Sequence, residues 1–147
     1  NDEIAESTIK AMVQEFVNKE AMQGKITAED YQAFIQELNA TGNTFEVEME
    51  VQLLGDNPGV KGSPGTIRDT VGENVRYSEY TNNIVGKLES AEKRFLLHKG
   101  DYFIVSVKNT NITLGKKLQG LFYQVIGKDS SIIDTSASAL VSVTGVK

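Results

Sequence analysis

The chain contains no cysteine. That removes disulfides, thiolate nucleophiles and zinc–sulfur sites together, while leaving the compartment open. Histidine is nearly as scarce: His98 is the single one, so zinc sites that need two or three imidazoles are excluded. A serine–histidine–aspartate site would have to use that one ring, yet it falls in the turn His98-Lys99-Gly100-Asp101. A solvated turn is a poor place to hold an imidazole against a nucleophile and a carboxylate. The 2 prolines, Pro58 and Pro64, sit in one glycine-rich stretch. No run reaches the roughly 18 apolar residues of a bilayer span. Bases are outnumbered, 15 against 20 acids for a net charge of −5, and no basic stripe appears. Nothing here attracts nucleic acid or an anionic membrane surface. The phosphate-cradling pattern GxxxxGK[ST] is also missing; Gly59-Val60-Lys61-Gly62-Ser63 lacks the strand-to-helix setting that makes backbone amides converge.

What remains is the signature of one α+β domain. A chain of 147 residues can bury roughly two thirds of its unfolded surface. The stretch Gly24 to Leu54 organises the rest. Thr27 is placed to cap a helix, with Asp30 three residues on in the capping-box position. Tyr31, Phe34, Ile35 and Leu38 recur at helical spacing, and Gly42 supplies a left-handed C-terminal residue. Phe45, Val47, Met49, Val51 and Leu53 then alternate with Glu46, Glu48, Glu50 and Gln52, a strand with one buried and one acidic face. Ahead of this stretch, about residues 2–23 read as an amphipathic helix. Its stripe is Ile9, Met12, Val13, Phe16 and Val17, with Asp2 and Glu3 at the positive end of its dipole and Gly24 at its close.

Beyond Leu54, Gly55 to Gly72 is a long loop with 5 glycines, longer than a routine connection. Asp56, Asn57, Asp69 and Glu73 offer oxygens in and beside it, but at no calcium-loop spacing. Glu73 to Tyr77 reads as a short strand leading into a helix from about Ser78 to Glu89, with Tyr77, Tyr80, Ile84 and Leu88 on one face. Phe95 to Lys108 reads as a hairpin about the His98–Asp101 turn. Its second arm points Phe103, Val105 and Val107 one way and Tyr102, Ile104 and Ser106 the other. Thr113 caps an expected helix over Leu114 to Ile126, and a last strand is expected from Ala137 to Val146. Hairpin-linked strands and flanking helices imply N-terminal helices packed on a mainly antiparallel sheet.

Candidate chemistry is thin. Glu46, Glu48 and Glu50 line one strand face, a pattern that keeps a strand soluble or protects an edge. Tyr77 and Tyr80 could stack on a sugar, though tyrosines on an element face are as readily the wet rim of a core. Asn39-Ala40-Thr41 and Asn111-Ile112-Thr113 match the glycosylation triplet, a pattern short enough to arise by chance.

Three segments carry a resemblance: GKITAEDYQAFIQELNATGNTFEVEMEVQ, VRYSEYTNNI and LHKGDYFIVSVKNTNITLGKKLQGLFYQVIG. Together they resemble TadE-like minor pilins and pseudopilins of Gram-positive tight-adherence (type IV-like) pilus loci, from about Met12 to the C-terminus. The resemblance implies a pilin-like fold, a small extracytoplasmic head behind a hydrophobic N-terminal helix, and no catalytic residues, metal or cofactor. It implies other pilin-like subunits as partners and a cell-surface location through an apolar anchor upstream of Asn1, in which case Ile4 to Val17 continue the anchor's helix. The expectation is a non-enzymatic structural subunit, with Ile9, Met12, Val13, Phe16 and Val17 docking that helix to the head. The alternative is a secreted binding or adhesion module in which the Gly55–Gly72 loop and Tyr77 and Tyr80 face a glycan or a host protein.

Overall fold

A computed structural model of the chain describes residues 2–55, 75–110 and 134–147. The elements run α1 (Asp2–Gln23), β1 (Lys25–Thr27), α2 (Ala28–Asn39), β2 (Phe45–Gly55), β3 (Val75–Tyr80), α3 (Thr81–Glu89), β4 (Arg94–Leu96), β5 (Tyr102–Asn109) and β6 (Asp134–Leu140). This is an α+β fold with two antiparallel sheets. The larger has strand order β3-β2-β5-β6, and the smaller pairs β1 with β4.

α1 forms because its whole length is free of glycine and proline, the two residues that weaken a helix interior most. Ile9, Val13, Phe16, Val17 and Ala21 are buried, one stripe that lies across β5 and β6. Gly24 stops the helix with φ +76°, and its N–H donates to the Glu20 carbonyl at 2.9 Å. β1 follows at once and leads into α2. There the Thr27 hydroxyl accepts from the Asp30 N–H at 3.0 Å, satisfying one of the amides that a helix start leaves over. α2 buries Phe34 and Leu38 and meets α1 through an aromatic stack: Phe16 and Phe34 lie 4.4 Å apart and 3° from parallel. Phe103 of β5 closes on the same ring edge-on at 5.9 Å.

The sheet register follows the alternation. Met49 faces Val105 and Val51 faces Phe103 across β2 and β5, while Phe103 and Val105 face Ala139 and Ala137 across β5 and β6. These residues line the face under α1. Small alanines on β6 let the helix come close, and each large side chain buried there contributes about 1.5–3 kcal/mol. The opposite face carries Glu46, Glu48, Glu50 and Gln52 against Lys108, Ser106, Ile104 and Tyr102.

Three expectations are corrected by the long-range pairing. Phe95 to Lys108 is not a hairpin: β4 leaves β5 alone and pairs with β1, Lys25 opposite Leu96. The turn itself is present, with Gly100 at φ +98° and the Asp101 N–H donating to the His98 carbonyl. β3 extends through Tyr80 instead of ending at Tyr77, because Arg76 to Tyr80 pair with Leu54 to Glu50 of β2; α3 therefore begins at Thr81. The last strand covers Asp134–Leu140 rather than Ala137 to Val146. Beyond Val141 the chain leaves the sheet and straps the end of α1: Ser142 N–H donates to the Ala21 carbonyl and Gly145 N–H to the Leu97 carbonyl. The expected helix at Leu114 to Ile126 and nearly all of the Gly55–Gly72 loop, with Asp56, Asn57, Asp69 and Glu73, lie outside the described residues, as does the triplet at Asn111.

Candidate functional site

Of the α1 stripe, Ile9, Val13 and Val17 are fully buried and Phe16 nearly so, with Met12 partly buried against the same cluster. These side chains are used up in packing the helix onto its own head. None of the four buried ones is available to a second subunit.

The sequence spacing places Tyr77 and Tyr80 on one helix face, but in a strand residues three apart point to opposite sides. Tyr77 stands across from Leu53 on the inner face, and its hydroxyl is buried. Tyr80, 60% exposed, stands across from Glu50 at the mouth of a cleft of about 390 Å³. Glu48 and Glu50 of β2, Ile104 of β5, and Asn82 and Asn83 at the start of α3 line it. The cleft exists because β3 stops at Tyr80 and the chain turns into α3. There the Thr81 hydroxyl takes the place of a strand partner, accepting from the Met49 N–H at 2.9 Å and donating to the Met49 carbonyl at 3.2 Å. Glu50 accepts from the Ser78 hydroxyl at 2.6 Å. β2 is an inner strand where β3 pairs it, from Glu50 to Gly55, and Glu48 and Glu50 wall a cleft. An aromatic ring, carboxylates and amides beside Ile104 can stack on a ligand's C–H face and hydrogen-bond its hydroxyls.

A second cluster lies at the lower end of α1. Glu20 is fully buried. One of its oxygens accepts from the Thr27 N–H at 3.1 Å and the other from the Gln23 amide at 2.9 Å. The same Gln23 nitrogen reaches Asp30 Oδ2 at 2.9 Å and the Lys25 carbonyl at 3.0 Å. Lys19 Nζ holds the other oxygen of Asp30 at 3.0 Å. Burial, reinforced by the hydrogen bond to Asp30, raises Glu20 to about 9. Burial works the same way on Asp30, but hydrogen bonds from Glu20, Gln23, Lys19 and Thr27 outweigh it and bring Asp30 down to about 2. The sequence does carry a sign of this cluster. Glu20 falls three residues after Val17 and four after Phe16, inside the apolar stripe, where an unpaired carboxylate would be costly.

His98 is largely exposed, with Nδ1 3.8 Å from the buried Asp101; Asp101 takes up the His98 N–H at 2.9 Å and so shapes the turn. Among the described residues no group of three or more histidine, aspartate or glutamate side chains is arranged to hold a metal, and no helix is long and apolar enough to cross a membrane. No protein-family model, curated protein or solved structure matches this chain.

Proposed function

We propose that the chain is the head of a non-enzymatic cell-surface subunit of the TadE-like pilin type, held at the surface by an apolar helix upstream and assembled with other pilin-like subunits. The observation that carries this reading is how α1 is gripped. Ile9, Val13, Phe16, Val17 and Ala21 are buried, with α1 packed on β5, β6 and α2, and the C-terminal strap bonds to its last turn. A helix held this way is a rigid handle: turns continuing beyond its N-terminus would fix the head's orientation in an assembly. Subunit association would come from apolar burial and helix packing. The test is to fractionate the full-length protein from its native cells. Recovery with sheared filaments or membranes supports the proposal; recovery in the medium alone contradicts it.

A second reading is favoured by the cleft beside Tyr80: a secreted adhesion module that binds a glycan or a host protein. It predicts glycan-array binding that Tyr80→Ala removes while the melting temperature is unchanged.

A further inference from the structure

We propose that Glu20 and Asp30 share one proton and together form a latch that holds the end of α1 to β1 and the start of α2, opening when that proton is withdrawn. This inference is independent of the pilin reading and concerns how the domain holds the end of α1 in place.

Geometry and charge balance both lead there. Glu20 has no contact with water, and its acceptors tie α1 to the backbone of Thr27, the residue that caps α2. Gln23 Nε2 has three oxygens within 3.0 Å, on Glu20, Asp30 and Lys25. An amide nitrogen carries two hydrogens, so these three oxygens share two donors. A proton on Glu20, donated to Asp30, adds a third. The charged groups facing the pair are few. From α1 there is Lys19, on Asp30; from α2 there is Glu29, which acts on Lys19. Lys25 of β1 turns its ammonium to the Val146 carbonyl at 3.4 Å. With one proton the trio Lys19, Glu20 and Asp30 is neutral; without it, the buried Glu20 carboxylate has only the Thr27 N–H and the Gln23 amide as donors and no cation of its own, a costly arrangement. The directions in which the two groups are displaced, Glu20 upward and Asp30 downward, agree with a proton held by the pair.

Withdrawing the proton sets two like charges against each other at the corner where α1 hands over to β1 and α2. Relief comes from parting α1 from the Thr27 amide. The test is hydrogen exchange at the Thr27 and Asp30 amides of the whole chain from about pH 5 to pH 8. After correction for base catalysis, the opening constant of the wild-type corner should rise about tenfold per pH unit, since the closed form holds one proton more than the open form. In Glu20→Gln that slope should vanish. A wild-type opening constant independent of pH would overturn the proposal, as would an equal slope in the variant. Should the variant fail to fold, the carboxyl carbon resonances of wild-type protein decide. A Glu20 midpoint several units above that of Asp30 upholds the latch; two midpoints in the ordinary carboxylate range refute it.

Discussion

Glu20→Gln should change the shape of the stability–pH curve and not merely its height. In the folded chain Glu20 is raised from the ordinary 4.5 to about 9, so the folded state binds an extra proton between those limits. Stability then falls as pH rises through that window, having been fully present below it. From 4.5 to pH 7 is 2.5 units, and at about 1.4 kcal/mol per unit the cost at neutrality reaches at most about 3.5 kcal/mol. The glutamine cannot ionise. Its carbonyl still accepts from Thr27 and its amide donates to Asp30, while Gln23 keeps Asp30 and the Lys25 carbonyl as acceptors. The loss is that the two amide nitrogens now face each other, a pH-independent cost of about 1 kcal/mol. Urea unfolding should therefore find the variant level with or below wild type near pH 5 and above it by up to about 4 kcal/mol near pH 8. A difference that stays constant from pH 5 to pH 8 would refute the reasoning.

On the acid side, Asp30 is lowered from 3.8 to about 2, so its contribution is present above 3.8 and is lost as pH falls toward 2; Asp30→Asn should flatten that acid limb in thermal melts. Phe16→Ala removes a ring packed between Phe34 and Phe103 and should cost about 3–5 kcal/mol in a urea titration. Gly145→Ala would set a methyl group on the carbonyl oxygen of Gly24; with backbone on both sides, a loss of about 1–3 kcal/mol is expected, visible as a lower melting temperature. Thr27→Ala should cost about 1 kcal/mol, and Thr27→Ser should restore most of it, because only the hydroxyl caps α2.

The parts of the fold that were legible are those governed by neighbours in sequence. Thr27 caps α2 as its spacing with Asp30 implies, Gly24 and Gly42 take positive φ, and Met49 and Val51 turn inward as the alternation of β2 requires. What failed depends on partners far along the chain. Arg94 to Leu96 sit close to β5 in sequence, yet they pair with Lys25 to Thr27, and nothing in residues 94–108 records that preference. Tyr77, Tyr80, Ile84 and Leu88 do fit a helical spacing, but the ladder to β2 claims the first two. Of the candidate sites, the α1 stripe was readable because it is periodic. The cleft was not: it arises where β3 gives way to α3 across β2 from Ile104 of β5, a meeting of four elements. Glu20 was readable in principle, as a charge placed where an apolar residue belongs.

The architecture gives the pilin reading its physical sense. α1 is fixed to the sheet by its apolar stripe, to α2 by the Phe16–Phe34 stack, and at its last turn to the C-terminal strap. A load on the helix is thereby passed to the whole domain. The measurement that bears most directly on that claim is covalent cross-linking of intact native cells, followed by detection of this chain. The account predicts a ladder of multimers recovered with the cell surface. A single monomeric band released from the cells, with no multimer at any cross-linker concentration, would contradict it.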